Sequence, residues 1–386
     1  MFSHRLQKLH QQRLNRIIRD RSSSQASRIF IEGIELINFA SNDYLGLASH
    51  PEVVKAVQDS MEEFGFGSGA SRLLGGGSIL HRRLEDAAAQ FKRTEAALVM
   101  NSGYAANTGI LPAIAGEGDV LFSDELNHAS IIDGCRLSRA ETLVYRHRDV
   151  EQLSHLMEGK RGRRMIVATD TVFSMDGDIA PLKEIHRLCL AVNSSLPPED
   201  SVLLYLDDAH GTGVLGNGKG ALAHFGIEPE PWIIEMGTFS KALGSSGAFV
   251  TGSKNAIEWI VNTARSFIFS TAIPASAAAA SAKAVEIVKN RPDLLRRLWE
   301  NRDFLFGALK KRGYDMGESE TPIIPLKMES VEDAMALSRH LEEGGIYAPA
   351  IRPPVVKMSR VRITVTAAHS EEDIRALLAA LDAFPR

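Results

Sequence analysis

Short apolar runs alternate with longer stretches of helical spacing through the middle of the chain. The seven runs lie at residues 96–100, 120–122, 142–145, 165–170, 202–206, 232–236 and 248–251. Strands that alternate with helices are joined by crossover connections, which predicts a mostly parallel sheet covered by helices on both faces. The link before the last run is short, polar and Gly-rich and leaves no room for a helix, so one antiparallel strand is expected there.

The N-terminal part of the chain has a different pattern. Leu and Ile are scattered among Arg and Gln in residues 1–20, which predicts an amphipathic helix. Apolar and polar residues alternate in residues 28–39, which predicts a small hairpin or an edge strand. We expect these elements to form an N-terminal arm, residues 1–50, in front of a large α/β domain, residues 51–285.

A smaller unit is expected after the large domain. A long Ala-rich helix is predicted at residues 274–289, and helical and strand-like segments follow it in turn. They predict a C-terminal α+β domain, residues 286–386. The Pro-rich residues 349–356 within it predict a loop, and loops on a rigid scaffold often carry functional residues.

Composition limits the classes of function. The 386 residues are 44% apolar and 24% charged, with a formal net charge of −4, which favours neither nucleic acid nor an anionic membrane as a partner. No apolar run approaches the length of a membrane span. The two cysteines, Cys135 and Cys189, fit no metal site or disulfide framework, so a cytoplasmic location is expected.

Polar residues cluster directly after several predicted strands, where the ligands of open α/β sheets bind. After the first strand, small residues around Gly103 lead into a helix, whose N-terminus is suited to an anion such as phosphate; an ordinary capped turn is the alternative. After the second, His128 stands where its ring could stack on a planar ligand, although a lone histidine is more often a cap or a surface residue. Ser174 and several carboxylates follow the fourth, which is also the pattern of a polar turn.

Two further strand ends carry charge. Asp207, Asp208 and His210 follow an apolar strand, and because burying an unpaired charge is expensive, a cation should lie opposite. Zinc is one candidate, but these residues give too few ligands, and a protonated pyridine nitrogen is another. Lys241 follows the next strand among small and hydroxylated residues. Desolvation there would lower its pKa and suit it to Schiff-base chemistry, although such a lysine by itself is usually a surface residue in a loop.

The combination of these residues is more specific than any one of them. Asp207 and Lys241 supply a counter-ion for a pyridinium nitrogen and an imine-forming amine, which is the recurring arrangement of enzymes that use pyridoxal 5′-phosphate (PLP). The turn at Gly103 and the ring of His128 supply a phosphate site and a stacking surface. The sequence therefore predicts a PLP enzyme with the cofactor held as a Schiff base on Lys241.

These motifs resemble the α-oxoamine synthases, a family of fold-type I PLP enzymes, over nearly the whole chain. The resemblance is carried by SNDYLGL (41–47), GSGASR (67–72), NSGYAAN (101–107), NHAS (127–130), FSMDGD (173–178), DDAHGTG (207–213), TFSKALG (238–244) and TAAH (366–369). It implies the α/β fold of PLP-dependent transferases of type I, with a mostly parallel seven-stranded sheet between helices. It also implies a homodimer with the active site at the subunit interface, and condensation of an amino acid with an acyl thioester, with loss of CO₂.

Residues 350–354, Ala-Ile-Arg-Pro-Pro, resemble the members of the family that condense L-alanine with a pimeloyl thioester in biotin biosynthesis. Either coenzyme A (CoA) or a carrier protein could carry the acyl group. Glycine C-acetyltransferase, 5-aminolevulinate synthase and serine palmitoyltransferase would use the same lysine and aspartate and stay as alternatives. From other classes, the alternatives are a non-catalytic scaffold or regulator with the PLP fold, and a zinc hydrolase built on Asp207 and His210.

The resemblance implies a role for each matching residue around the cofactor. Lys241 forms the Schiff base and then removes the α-proton of the amino acid, Asp207 pairs with the pyridine nitrogen, and His128 stacks on the ring. The other contacts are His210 with Ser174 on the ring 3-oxygen, Thr238 on the phosphate, Gly103 and Tyr104 along the cofactor, and Thr271 on the phosphate of the neighbouring subunit.

The resemblance also implies substrate contacts. Arg352 receives the carboxylate of the amino acid, and the remaining contacts are Arg19, Asn42, His128 and Val355. Arg19 would contact the acyl substrate. The family normally has Thr where this chain has Val355, so one hydrogen bond to the substrate is expected to be missing.

Overall fold

The N-terminal arm of the protein is a short helix followed by a hairpin. The protein was analysed as a computed structural model, which describes residues 2–11, 14–160 and 163–385. Helix α1 (Ser3–Gln11) precedes the antiparallel strands β1 (Arg28–Ile31) and β2 (Ile34–Asn38), which confirms the predicted hairpin. The predicted helix over residues 1–20 is too long, because residues 14–20 are not helical. Residues 1, 12 and 13 of that prediction lie outside the described residues.

A seven-stranded sheet lies at the centre of the molecule. Its strands are β3 (Ala96–Met100), β4 (Val120–Asp124), β5 (Glu141–Tyr145), β6 (Met165–Asp170), β7 (Leu203–Asp207), β8 (Ile233–Thr238) and β9 (Ala248–Gly252). Their order is β3-β9-β8-β7-β6-β4-β5, and only β9 runs antiparallel to its neighbours. Every residue of β4, β6 and β8 is buried, as strands covered on both faces require. The predicted sheet, with its one antiparallel strand, is confirmed.

Helices cover both faces of this sheet. They are α2 (Pro51–Phe64), α3 (Ile79–Lys92), α4 (Gly103–Ile114), α5 (Ala129–Ser138), α6 (Val150–Glu158), α7 (Leu182–Asn193), α8 (Ala221–Phe225), α9 (Lys254–Thr263), α10 (Arg265–Ile268) and α11 (Ala275–Asn290). The strand neighbours Leu121 and Phe122 belong to different apolar clusters, because successive strand residues point to opposite faces. Helices α4 and α5 begin soon after β3 and β4 end, so both present their N-termini at the same edge of the sheet. None of the described helices is long and apolar enough to cross a membrane.

The C-terminal part contains a second, smaller sheet. Its elements are α12 (Pro292–Lys311), β10 (Ile323–Lys327), α13 (Val331–Glu343), β11 (Ile346–Tyr347), β12 (Ala350–Ile351), β13 (Arg360–Thr364) and α14 (Glu371–Asp382). Strand β13 lies between β10 and β12 and is antiparallel to both. The segment 349–356, expected to be a loop, therefore begins with a short strand.

The N-terminal hairpin and the C-terminal part are joined by main-chain hydrogen bonds. Strand β11 pairs in parallel with β2, so β1, β2 and β11 form one sheet. Helix α11 runs through residue 285, where the boundary between the large and the C-terminal domain is expected. The division into three domains stays a prediction.

Candidate active site

Polar side chains meet at the carboxyl ends of β6, β7 and β8, beside the first turns of α4 and α5. They line a cavity of about 190 Å³, which we call the inner recess. Its walls include Gly103, Tyr104, His128, Asp170, Ser174, Asp207, His210, Thr238 and Lys241. The structure thus brings together every residue that the sequence predicts around a cofactor within one subunit.

A second cavity of about 260 Å³, the middle recess, adjoins the first. Both recesses are lined by His128, Ser174, His210 and Lys241. The middle recess adds Ala40, Asn42, Met175, Pro349, Ile351 and Arg362. A ligand in the inner recess can therefore meet a second ligand in the middle recess, next to the same amine.

Lys241 is that shared amine. Burial lowers its pKa to about 8, although nearby Asp207 acts in the opposite direction. An ordinary lysine, with a pKa of about 10.4, is almost wholly protonated near neutral pH. Lys241 therefore presents far more free amine there, which is the form that forms imines and removes protons.

Asp207 ends β7 and is almost fully buried, with 4% of its surface exposed. One carboxylate oxygen accepts a hydrogen bond from the side-chain amide of Asn107 (2.7 Å) and the other from the backbone N–H of Ala209 (3.0 Å). The hydroxyl of Tyr205 in turn donates to the side-chain oxygen of Asn107 (2.6 Å), which fixes the amide with its donor towards Asp207. Burial raises the pKa of Asp207 and Lys241 opposes that rise, so a cation in the inner recess would stabilise the carboxylate.

Asp208 turns away from the recess into a buried ion pair. Its carboxylate lies 2.7 Å from the ammonium of Lys92, which also contacts Glu235 at 2.9 Å. The hydroxyls of Thr171 and Thr212 donate to the same carboxylate. Lys92 is therefore the cation that the sequence predicts opposite Asp208. Asp207 instead faces the inner recess.

His210 is held as a neutral ring. A hydrogen bond of 2.7 Å joins its Nδ1 to the hydroxyl of Tyr44, which is also buried. Burial lowers the pKa of His210 well below its usual value. Among the described residues Nε2 has no partner, so a neutral imidazole is available to a ligand in the recess. Tyr44 lies within the SNDYLGL motif, but no role for it was predicted from the sequence.

His128 is fixed from two sides at the first turn of α5. Its Nδ1 lies 2.7 Å from the hydroxyl of Ser130, and its backbone N–H donates to Asp170 (2.6 Å). Burial lowers the pKa of His128, and Lys241 adds to that effect. An uncharged, fixed ring suits the predicted stacking role. Asp170, which sequence reasoning missed, pairs in register with Asp207, and its burial raises its pKa well above the ordinary value.

Arg362 is the cation of the middle recess. It lies on β13 and is 7% exposed, and its guanidinium donates to the backbone oxygen of Ser174 (2.6 Å) and the side-chain oxygen of Asn42 (3.1 Å). Within the described part of the chain it has no carboxylate partner. A buried guanidinium without an anion next to Lys241 suits a carboxylate from a ligand.

Arg352 occupies a different place from the one expected. It lies in a third cavity, of about 560 Å³, and its guanidinium donates to the backbone oxygen of Asn15 (2.8 Å). Arg19 lines the same cavity and pairs with Glu342 (2.7 Å) and Glu32 (3.0 Å). This position does not agree with the expectation that Arg352 receives the carboxylate of the amino acid, because Arg352 follows β12 and the alternation of side chains there turns it away from the middle recess.

Two other predicted residues lie at the surface. Val355 is 52% exposed. Thr271 is exposed, and its backbone oxygen accepts a hydrogen bond of 2.6 Å from the side chain of Asn101, just before α4. It is therefore close to the N-terminus of α4 but outside the inner recess of its own subunit.

The inner recess fits PLP. At the start of α4, a Cβ added to Gly103 would lie 2.9 Å from a methyl group of Thr238, so the helix N-terminus reaches the recess only without a side chain. Such an N-terminus binds phosphate. The carboxylate of Asp207, the amine of Lys241 and the neutral ring of His210 are the groups that a pyridine nitrogen, an aldehyde and a ring 3-oxygen require.

Comparison with known proteins agrees with this geometry. The family model for aminotransferases of class I and II matches residues 34–381. The 8-amino-7-oxononanoate synthase of Geobacter metallireducens is 47% identical, over 99% of this chain and 97% of the relative.

Two solved structures cover most of the chain. The serine palmitoyltransferase of Sphingomonas wittichii superposes with a TM-score of 0.90 at 30% identity, over 99% of this chain and 95% of that one. The 8-amino-7-oxononanoate synthase of Francisella tularensis gives a TM-score of 0.77 at 27% identity, over 90% and 96%. The fold is that of the type I PLP-dependent transferases, and the chain belongs to the aminotransferase class I and II family and, within it, to the 8-amino-7-oxononanoate synthases.

Proposed function

We propose that the protein condenses L-alanine with a pimeloyl thioester and releases CO₂, giving 8-amino-7-oxononanoate for biotin biosynthesis. The observation that carries the proposal is the meeting of Lys241, Asp207 and the buried Arg362 around two adjoining recesses. The names of relatives at 46% and 47% identity support the choice of alanine and pimeloyl substrates. The free cysteines Cys135 and Cys189 are consistent with a cytoplasmic enzyme.

PLP supplies an electron sink for the negative charge that develops on the α-carbon of the amino acid. Asp207 would hold the pyridine nitrogen, and Asn107 and Ala209 keep its carboxylate in place. His210 and Ser174 would hold the ring 3-oxygen. The face of the ring would lie against His128. The phosphate would lie at Thr238 and the first turn of α4, beside Gly103.

The residues of the middle recess would position the amino acid. Arg362 would bind the carboxylate of alanine, which fixes the direction of the α-C–H bond relative to Lys241. The ε-amine of Lys241, with a pKa of about 8, would take the α-proton and later return it. Asn42 and Ser174 orient Arg362 by accepting its hydrogen bonds.

The holoenzyme should be assayed with every pairing of L-alanine, glycine or L-serine with pimeloyl-CoA, acetyl-CoA, succinyl-CoA or palmitoyl-CoA. We expect CO₂ release and the amino ketone product with alanine and pimeloyl-CoA, at a kcat/KM at least about 100-fold above every other pairing. A preference for glycine or serine would assign the chain to a different synthase activity. No turnover with any pairing, and none with a pimeloyl carrier protein, would favour a non-catalytic role.

We also propose that the active enzyme is a homodimer in which Thr271 reaches the partner subunit's cofactor phosphate. Thr271 is exposed close to the N-terminus of α4, and Phe269 beside it is 71% exposed. Mixing inactive Lys241→Ala subunits with weakened Thr271→Asp subunits should restore activity through the one site that has both native residues. Failure of mixed dimers to exceed the Thr271→Asp homodimer would remove this assignment.

A further inference from the structure

The third cavity, which we call the outer recess, is assembled from separate parts of the chain. It has a volume of about 560 Å³. Its walls come from residues 14–20, from β2, from α13 and from residues 347–352. The side chains that matter below are Ile17, Arg19, Ile34, Arg339, Tyr347 and Arg352. No cavity formed by these segments was predicted from the sequence.

The outer recess adjoins the middle recess at Pro349 and the neighbouring strand β12. Pro349 lines both cavities. Beyond it the side chains alternate, as they do along a strand: Ile351 lines the middle recess, whereas Ala350 and Arg352 line the outer one. A chain that starts beside Lys241 would therefore have to pass Pro349 to reach Arg352 on the far side.

The walls of the outer recess are apolar near its mouth. Ile17 is 78% exposed and Ile34 is 58% exposed, and both line the recess together with Tyr347. Exposed apolar side chains that converge on a cavity indicate a ligand that covers them. A chain of methylene groups is the simplest ligand of this kind.

The outer recess is lined by one more cationic than anionic side chain. Arg19, Arg339 and Arg352 are opposed by Glu342 and Glu343, which gives a net charge of +1. Arg19 is neutralised by its contacts with Glu342 and Glu32. Within the described residues no carboxylate lies in ion-pair range of Arg352. A net charge of +1 suits one carboxylate better than the several phosphate charges of CoA, which the two glutamates would repel.

From these observations we infer that the outer recess binds the distal carboxylate of a dicarboxylic acyl thioester, with Arg352 as the receiving guanidinium. The methylene chain would pass Pro349 and cover Ile17 and Ile34, while the thioester carbon stays in the middle recess. Arg352 thus selects the acyl substrate, and Arg362 receives the amino acid. The inference rests on the proposed function, because it assumes an acyl thioester as the second substrate.

The test compares two thioesters of equal chain length, pimeloyl-CoA and heptanoyl-CoA, which differ in the distal carboxylate. In the holoenzyme, Arg352→Gln should raise the KM for pimeloyl-CoA about 30-fold, with kcat and the KM for alanine nearly unchanged. The KM for heptanoyl-CoA should stay within about twofold of the wild-type value. Arg375→Gln, an exposed change on α14, serves as the control and should alter none of these values.

The contrary results are specific. An equal rise of KM for both thioesters would place Arg352 on CoA, and a rise in the KM for alanine would return it to the amino-acid carboxylate; either overturns the inference. If wild type turns over alanine with neither thioester, the proposed function fails instead. Should Arg352→Gln not fold, Arg352→Lys replaces it and should show a smaller loss confined to pimeloyl-CoA. Calorimetric titration of the holoenzyme with pimelate and with uncharged heptanamide gives a readout without turnover: pimelate should bind, heptanamide should not, and Arg352→Gln should abolish the heat of pimelate binding.

Discussion

The inner and the outer recess are built in different ways. Asp207 and His210 of the inner recess are almost fully buried, and each is held by hydrogen bonds from another part of the fold. The outer recess is open, and Ile17 and Ile34 are exposed on its walls. The seven-stranded sheet thus positions the groups around the cofactor, whereas segments outside that sheet form the recess proposed to select the acyl group. Changes in the inner recess should therefore abolish the reaction, and changes in the outer recess should redirect it.

Lys241→Ala, in the inner recess, should have the largest effect on activity. We expect kcat to fall on the order of 10⁴-fold, because the amine that holds the cofactor and moves the α-proton is removed. Borohydride reduction followed by mass spectrometry should attach PLP to the wild-type chain and not to the variant. Unchanged circular dichroism would show that folding is intact. Covalent PLP on the variant would refute the role of Lys241.

Lys92→Met tests how far the protein depends on the buried ion pairs of Lys92 with Asp208 and Glu235. Removal of Lys92 leaves Asp208 and Glu235 buried without a cation, which should lower the free energy of unfolding by about 3–5 kcal/mol. At the outer recess, Arg339→Gln should change it by less than about 0.5 kcal/mol. Urea unfolding followed by fluorescence measures both. Equal effects of the two changes would remove the distinction between a buried and an open site.

Arg362→Gln distinguishes the proposed role of Arg362 from that of Arg352. We expect the KM for alanine to rise about 100-fold, because a buried guanidinium would no longer meet the substrate carboxylate. The KM for the acyl thioester should change little, which is the opposite of the result expected for Arg352→Gln. Steady-state kinetics with each substrate varied in turn gives both constants. If both arginine variants raise the same KM, the division between amino-acid and acyl sites is wrong.

Tyr44→Phe tests whether Tyr44 positions His210 in the inner recess. The change removes the hydroxyl that is hydrogen-bonded to Nδ1 of His210 and that also contacts the guanidinium of Arg362, so PLP should bind about 5- to 10-fold more weakly. The pKa of His210 should change as well, which NMR titration of the cofactor-free protein would detect. Tyr314→Phe, between α12 and β10 in the C-terminal part of the chain, serves as the control and should leave cofactor affinity and the His210 signal unchanged. Normal affinity and an unshifted signal in Tyr44→Phe would show that Tyr44 does not position His210.

The smallest expected effect concerns the loops that carry His128 and Ser174. His147 lies between them, with Nδ1 3.0 Å from Asp124 and Nε2 2.6 Å from Asp178. Burial lowers the pKa of His147, but the hydrogen bonds that its ring donates to these carboxylates outweigh that effect and raise the pKa to about 9. Because the folded pKa is raised, the stabilisation is complete below about pH 6.5 and is lost as the pH rises through 9.

His147→Gln should therefore be less stable than wild type by about 1 kcal/mol at pH 6, and the difference should shrink towards pH 9.5. Urea unfolding at both pH values measures it. A difference that grows with pH would contradict a protonated His147.

Much of the fold was predictable because it depends on local pattern. Strands β6 to β8 are largely apolar and buried, and the catalytic candidates Asp207 and Lys241 lie at the end of β7 and shortly after β8. The partners of these residues were not predictable, since they come from distant parts of the chain. Lys92 shows only as a charged residue at the end of α3, and nothing local indicates that it turns inwards.

Arg362 was missed although a signal was present. It lies on β13, whose residues are all buried, and an arginine inside a buried strand requires an anion or a ligand. Arg352 was placed wrongly because motif matching gives position along the chain but not the face of a strand. Only the pairing of β12 with β13 decides which recess its side chain faces.

The pairing of β2 with β11 has a consequence for the order in which the protein becomes competent. Ribosomes make β2 and residues 14–20 early, but their partner β11 and Arg352 emerge near the end of synthesis. The strands that carry Asp207 and Lys241 are complete before that point. During translation the chain can thus acquire its cofactor-binding groups well before Arg352 and Arg362 are made, so the groups proposed to hold the two substrates are the last parts of the site to form.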